Sequence, residues 1–369
     1  MLQRHLSIMS ELENKIANWV RKPIRALAAY HVPDAQGFIK LDAMENPYHW
    51  PHDLVESWLA MLREVPLNRY PDPAAHALKQ QLQQNMQVPP GYDILLGNGS
   101  DELIQMILMA VSGPDRVVLA PEPGFVMYNM IATFLNMPYV GVPLRPDFSL
   151  DANAMLQAVT QHRPAVIFLA YPNNPTGNLF DDDAIEVIIK ATDGLVVIDE
   201  AYHAFAGKTW MNKLSQYDNV LVMRTLSKMG LAGLRLGLLA GHPDWLNEFD
   251  KVRLPYNINV LTQASAQFAL QHQPVLDAQT QHITRDREKL LNDMRQLKGI
   301  EVFPSQANFI LFRTAPGQAD AVFQTLKQHK VLIKNSSHAG GLLADCLRVT
   351  IGAPDENTAF LTALRVALS

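Results

Sequence analysis

The sequence predicts an α/β protein: a three-layer α/β/α large domain around a mostly parallel sheet, joined to a smaller α+β domain. Three observations predict it. From about residue 94 to residue 240, short apolar runs alternate with stretches of helical period. The runs are continuous rather than alternating, the pattern of strands that helices bury on both faces. After Pro255-Tyr256-Asn257 the order changes to one long amphipathic stretch, then strands, a helix, more strands and a terminal helix. That change reads as a second, smaller unit. The expected division is an N-terminal arm at 1–40, a large domain at 41–260 and a small domain at 261–369, with the arm packed on the small domain.

The arm holds a helix around Glu11–Val20, then Arg21-Lys22-Pro23 and Tyr30-His31-Val32-Pro33. Leu41–Tyr48 reads as a short strand ending in an Asn46-Pro47 turn. Asn68–Pro73 is a loop between two helical patterns, with Tyr70 inside it. Ile94-Leu95-Leu96 runs as a strand into Gly97-Asn98-Gly99-Ser100, and the helix Glu102–Val111 follows, with Ser100 or Asp101 as N-cap. An ordinary capped turn explains this stretch as well as a ligand does, although glycines admit a close ligand and a helix start offers free N–H groups. Strand Arg116–Ala120 comes next, and Phe125 opens the following helix. An aromatic there stacks on a flat ring or fills core, and core is the commoner outcome.

Helix Ala152–Gln161, strand Ala165–Ala170, helix Asp182–Lys190 and strand Leu195–Ile198 continue the alternation, followed by strands Val220–Met223 and Leu236–Ala240. The small domain begins with the charged, amphipathic helix Leu276–Leu297. The apolar segment Val302–Phe312, helix Ala319–His329, strands Val331–Ile333 and Cys346–Thr350, and a last helix complete it.

Composition narrows the function classes. A chain of 369 residues, 48% hydrophobic and 18% charged, is globular rather than disordered. A net charge of −5 offers no electrostatic case for nucleic acid. Cys346 is the only cysteine, so no internal disulfide forms, which suits a reducing cytoplasm. The first residues lack the apolar core of a signal peptide, and no apolar run reaches the length of a membrane span. No metal site is expected.

The chemistry gathers at strand ends, where open α/β sheets bind ligands. Val220–Met223 runs into Arg224-Thr225-Leu226-Ser227-Lys228, then small residues and Arg235. An ammonium at the end of a buried strand is costly unless it has a task. A lysine with a lowered pKa attacks carbonyls and forms Schiff bases. Thr225, Ser227 and Arg235 beside it suit a phosphate, and an aldehyde next to a phosphate describes pyridoxal 5′-phosphate. Asp199 ends another buried strand. A carboxylate there either caps or pairs within the protein, or holds the protonated nitrogen of a pyridine ring. Asn174 and Tyr202 are polar groups at the same rim. Arg348 lies inside an apolar strand, where it needs an internal partner or an anionic ligand.

Taken together, these segments resemble the histidinol-phosphate aminotransferase family of fold-type I pyridoxal-phosphate enzymes. The resemblance runs from Leu41–Tyr48 through Arg69-Tyr70-Pro71, Gly99–Glu102, Phe125–Tyr128, Tyr171–Gly177, Asp199–Tyr202 and Arg224–Arg235 to Asn308-Phe309-Ile310 and Leu347–Thr350. It implies that Lys228 is the Schiff-base lysine and proton shuttle, that Asp199 pairs with the pyridine nitrogen, and that Asn174 and Tyr202 contact the ring oxygen. It implies that Phe125 stacks on the ring and that Ser100, Asp101, Thr225, Ser227 and Arg235 hold the phosphate. Tyr70 would reach the cofactor of the other subunit of a homodimer. Arg348 would grip the substrate's anionic group, with Asn46 and Tyr256 also at the substrate. Where the family often carries a second arginine, this chain has Lys334, a charge without a bidentate fork. The implied reaction interconverts L-histidinol phosphate and 2-oxoglutarate with imidazole acetol phosphate and L-glutamate. Aromatic-amino-acid aminotransferases and threonine-phosphate decarboxylases share the scaffold. A sensor domain of a transcription regulator fits less well, because 1–40 is too short for a DNA-binding domain and the chain is acidic.

Overall fold

The computed structural model describes residues 2–29 and 32–369, so Tyr30 and His31 of the expected arm lie outside the described residues. A helix occupies Leu2–Trp19, longer than the Glu11–Val20 expected. Two residues, β1 (Ile39–Lys40), then pair in parallel with β11 (Val331–Leu332). The chain from Leu41 to Tyr48 is not a strand. The Leu41 carbonyl accepts from the Thr350 N–H at 2.9 Å, but the next three carbonyls are taken by side chains from elsewhere, as described below, so no ladder continues past it.

Seven strands form the main sheet: β2 (Asp93–Asn98), β3 (Val118–Glu122), β4 (Tyr139–Pro143), β5 (Val166–Ala170), β6 (Leu195–Asp199), β7 (Val220–Thr225) and β8 (Leu236–Gly241). Their order is β2-β8-β7-β6-β5-β3-β4. The pairs from β7 to β4 are parallel, and β8 runs antiparallel to both of its neighbours. Side chains alternate across the sheet. Val166, Phe168, Leu195 and Val197 enter one apolar cluster, while Ile167, Leu169, Val196 and Ile198 enter another. Helices Ser100–Val111, Met127–Phe134 and Pro243–Asp250 cover the first face. Helices His76–Asn85, Ala152–His162, Asp182–Ala191 and Val260–Gln271 cover the second. This is the three-layer arrangement the continuous apolar runs require. Losing one ring from such a core, as in Phe168→Ala, costs about 3–5 kcal/mol.

A second sheet, in the order β12-β13-β10-β9, is built from β9 (Ile300–Val302), β10 (Phe309–Thr314), β12 (Lys334–Asn335) and β13 (Cys346–Thr350). Its pairs are all antiparallel. Its cluster joins Phe309, Ile310 and Phe312 to Ile283 and Leu290 of helix Gln273–Arg295, and also takes in Leu41, Tyr202 and Phe205. Of the strand expected at Val331–Ile333, Val331 and Leu332 pair with β1, Ile333 joins neither ladder, and the next two residues, Lys334 and Asn335, pair with β13.

Three smaller corrections concern local signals. Helix Ser100–Val111 begins two residues before the expected Glu102, and its N-cap is Gly99 rather than Ser100 or Asp101. Phe125 precedes the next helix, which starts at Met127. Strand β4 was not expected at all. It lies at the sheet edge and only Val142 of it is buried, so it lacks the apolar run that marks the inner strands.

Candidate active site

The carboxyl ends of β5, β6 and β7 and the start of helix Ser100–Val111 surround a cavity of about 130 Å³. Of the residues expected to contact a cofactor, Ser100, Asp101, Phe125, Asn174, Asp199, Tyr202, Thr225, Ser227, Lys228 and Arg235 all line it. A broader groove of about 720 Å³, bordered by Met86, His203, Thr209 and Arg224, contains none of them. The smaller cavity holds the convergent chemistry.

Lys228 sits in a short 3-10 turn after β7, and its Nζ donates to the Ala43 carbonyl at 3.3 Å. Burial, then the guanidiniums of Arg348 and Arg235, push its ammonium down to about 8. A good fraction of the amine is then neutral and nucleophilic near physiological pH. Asp199 is buried at the end of β6. Its Oδ2 accepts from the Tyr128 hydroxyl at 2.6 Å and its Oδ1 from the Ala201 N–H at 3.1 Å. Burial nonetheless raises the carboxyl to about 6, because these donors only partly offset lost hydration. Asp199 makes no ion pair among the described residues. Across the cavity, Asn174 Nδ2 donates to the Tyr202 hydroxyl at 3.2 Å.

The other end is a cradle for an anion. Gly99 has φ +80°, and a Cβ there would come within 2.6 Å of Arg235 Nη2. A Cβ on Gly237 would meet the backbone of Gly99 and Ser100 at 2.8–3.0 Å. The two glycines therefore let Arg235 lie directly on the first turn of helix Ser100–Val111. No side chain caps that turn. Its N–H groups, the Arg235 guanidinium and the hydroxyls of Thr225 and Ser227, 2.9 Å apart, suit a dianionic phosphate. A phosphate cradle at one end, an amine held by a single carbonyl in the middle and a buried carboxylate with no cationic partner among the described residues suit pyridoxal 5′-phosphate in donor set and order.

Arg348 reaches the same rim from β13. Nη1 donates to Asn174 Oδ1 at 2.5 Å and Nη2 to the Asp42 carbonyl at 3.0 Å, with the guanidinium 5.2 Å from the Phe309 ring centroid. Lys334 pairs with Arg348 in register across β12 and β13, so the two cations share one face of the sheet. Lys334 is exposed and makes no ion pair among the described residues.

Five expected residues do not line the cavity: Arg348 and Lys334, at its rim and beyond it, and Tyr70, Tyr256 and Asn46. Tyr70 is 80% exposed and stacks on Tyr256, with ring centroids 4.4 Å apart. Tyr256 itself lies in a left-handed turn with φ +58°. Asn46 donates to Gln279 Oε1 at 2.9 Å and packs against Gly230.

Two features escaped the sequence reading. Tyr128 is the hydroxyl donor to Asp199, and its ring stacks on Phe168 at 4.5 Å. Its spacing of three from Phe125 across a helix start was the available signal. The second is a strap. The carbonyls of Asp42, Ala43 and Met44 accept, in order, from Arg348, Lys228 and Asn308.

Comparison with known proteins places this geometry in a family. Residues 36–364 match the family model of aminotransferase class I and II. A histidinol-phosphate aminotransferase 2 of Nitrosococcus oceani is 58% identical over 353 residues, covering 96% of this chain and 98% of that one. A histidinol-phosphate aminotransferase 1 of Ralstonia nicotianae is 52% identical over 366 residues, covering 98% and 97%. Among solved structures, the histidinol-phosphate aminotransferase of Sinorhizobium meliloti in complex with pyridoxal-5′-phosphate superposes with a TM-score of 0.84 at 24% identity, over 95% of this chain and 97% of that one. The L-threonine-O-3-phosphate decarboxylase of Porphyromonas gingivalis shares the fold with a TM-score of 0.75 at 23% identity, over 89% and 98%.

Proposed function

The chain belongs to the class I and II aminotransferases, and from that premise we propose that it is a histidinol-phosphate transaminase. It interconverts L-histidinol phosphate and 2-oxoglutarate with imidazole acetol phosphate and L-glutamate, in histidine biosynthesis. The cofactor is pyridoxal 5′-phosphate. When bound, it supplies the aldehyde that receives the amino group and a ring that draws electron density from the substrate carbon. One observation carries the reaction class: a lysine held near 8 and a buried carboxyl without a cationic partner line the same small cavity.

The chain's own residues then divide the work. Lys228 holds the cofactor and moves a proton to and from the substrate carbon. Asp199, oriented by Tyr128, keeps a proton on the pyridine nitrogen. Asn174 and Tyr202 donate to the ring oxygen, and Phe125 covers one face. The helix start at Ser100 and Asp101, with Thr225, Ser227 and Arg235, binds the cofactor phosphate. Arg348 grips the anionic group of either substrate, while Lys334 adds a mobile charge suited to a phosphate. Asn46 and Tyr256 border the substrate. Tyr70, exposed in the single chain, reaches a cofactor in the second subunit of a homodimer. The large domain at 41–260 carries the cofactor and the small domain at 261–369 brings Arg348 and Lys334 to the substrate; of the arm at 1–40, expected on the small domain, β1 pairs with β11 there while Arg21 donates to the Phe134 carbonyl of the large domain. The enzyme works in the cytoplasm; among the described residues no helix is long and apolar enough to cross a membrane.

A half-reaction screen tests the reading. The cofactor-loaded protein is mixed with histidinol phosphate, glutamate or aromatic amino acids, and loss of the visible cofactor absorbance is followed. Rapid conversion by histidinol phosphate and glutamate is expected. Conversion by aromatic amino acids with none by histidinol phosphate would overturn the substrate assignment.

A further inference from the structure

On the far side of the strand ends that form the cavity lies a second group of buried charge. Glu200 follows Asp199 and is fully buried. Its carboxylate accepts from the Thr209 hydroxyl at 2.9 Å, the Trp210 N–H at 2.5 Å and Arg224 Nε at 2.9 Å. Arg224 precedes Thr225. Its Nη1 donates to the Met86 carbonyl at 3.1 Å and its Nη2 to the Thr209 hydroxyl at 2.7 Å. Neither Glu200 nor Arg224 lines the cavity, and Arg224 and Thr209 border the broad groove instead.

Strand alternation explains the placement. Asp199 and Glu200 point to opposite sides of one chain, as do Thr225 and Arg224 of the neighbouring chain. The ladder between β6 and β7 ends at Asp199 opposite Met223, with a last bond from the Glu200 N–H to the Met223 carbonyl at 2.7 Å. Beyond it the chains diverge, one into the Ala201–Gly207 segment and the other into the turn of Lys228. The side chains of Glu200 and Arg224 tie them together where the backbone no longer does.

We propose that Glu200 and Arg224 are a positioning pair for the cofactor site. From behind, they fix the spacing between Asp199 and the turn that carries Thr225, Ser227 and Lys228. The inference rests on the reading that the cavity holds pyridoxal phosphate. Besides His203, Tyr171 faces the pair: its hydroxyl donates to Asp182 Oδ1 at 2.7 Å and is pushed up by burial, by Asp182 and by Glu200. His203, whose ring nitrogen lies 3.1 Å from the Glu200 carbonyl, is pushed down to about 3 by burial and by Arg224, so it stays neutral. Asp199 is faced by Tyr128, Asp101 and Glu200 itself. A purely structural pair would behave differently, because replacing both charges of a buried ion pair together is often neutral for stability.

The test compares the wild type, the double variant Glu200→Gln/Arg224→Met, and Thr209→Val, which keeps both charges but removes the hydroxyl joining them. Three quantities are read: the melting temperature, the affinity of the cofactor-free protein for pyridoxal phosphate from tryptophan quenching, and the pH midpoint of the bound cofactor's visible absorbance. The double variant is expected to melt cooperatively, to bind at least about tenfold more weakly and to move the midpoint by about half a unit or more. Thr209→Val is expected to weaken binding by about two- to fivefold and to move the midpoint in the same direction. Wild-type affinity and midpoint in both variants would overturn the proposal. If the double variant does not fold, Thr209→Val decides alone. A wild type that fails to bind pyridoxal phosphate would sink the cofactor reading rather than this inference.

Discussion

At the end of β6, Asp199 turns into the cavity and Glu200 turns away from it, and the two carboxylates meet different surroundings. Glu200 has a guanidinium, a hydroxyl and an N–H around it. Asp199 has a phenol and one N–H, no cation, and a carboxyl raised to about 6 by burial. The same contrast holds for the cations. Arg224 donates to a carboxylate, a hydroxyl and a carbonyl, whereas Lys228 donates to a single carbonyl at 3.3 Å, lies 5.8 Å from the Tyr202 ring centroid, and is repelled by two guanidiniums that outweigh the pull of Glu45 and Asp101. Buried charge that is fully partnered holds the frame. Buried charge that is left short of partners is where a ligand completes the set.

The sharpest way to break this contrast is to remove the under-partnered amine. Lys228→Ala is expected to abolish turnover, by about 10⁴-fold or more, while some cofactor still binds through the phosphate cradle. Ordinary steady-state turnover in that variant would sink the assignment. Asp199→Asn keeps the shape but removes the charge, and kcat is expected to fall by about 10²–10³-fold. The same variant has a signature in the cofactor-free protein. Held at about 6, the folded carboxyl binds a proton that the unfolded chain releases near its ordinary value of 3.8. Through this residue the cofactor-free protein loses stability as pH rises from about 4 to 6. Urea unfolding across that window should show the slope in the wild type and its loss in Asp199→Asn.

Smaller changes sharpen the comparison. Arg348→Ala is expected to slow both half-reactions by about 2–5 kcal/mol in kcat/KM, because both substrates bring an anion to the same fork. Retention of one half-reaction would separate their binding sites. Tyr128→Phe removes one of the two donors to Asp199 and should cost about 1.5–3 kcal/mol in cofactor affinity, measured by titration of the cofactor-free protein. Lys334→Ala should weaken histidinol phosphate by about 1–3 kcal/mol and glutamate less. Equal losses for the two substrates would remove the phosphate-specific role.

Much of this was legible in the sequence, and the gaps have physical causes. The inner strands announced themselves because burial on both faces demands unbroken apolar runs. The polar residues at the ends of β6 and β7 stood out against that background, while Ser100, Asp101 and Phe125 were legible only through the family resemblance. Strand β4 was invisible because an edge strand with one buried residue carries no such signal. Leu41–Tyr48 looked like a strand because extended backbone and apolar side chains are shared by strands and straps. Only the partners of its carbonyls tell them apart, and those lie more than 180 residues away. Tyr128 and the Glu200–Arg224 pair were missed for the same reason. Each acts through a neighbour brought close by the fold, over sequence separations of 71 and 24 residues.

The strap has a further consequence, which concerns time rather than energy. Asp42, Ala43 and Met44 leave the ribosome early, but their holders are Lys228, Asn308 and Arg348. The strand just before them, β1, also waits for β11. A chain synthesised from its N-terminus can build most of the main sheet while this first segment still hangs loose, since loops of that length close late and slowly. The wall over the lysine is therefore among the last parts of the molecule to be set. A nascent chain stalled before Asn308 would lack β11 and two of the three holders, and would present an open, unfinished cavity with its amine uncovered.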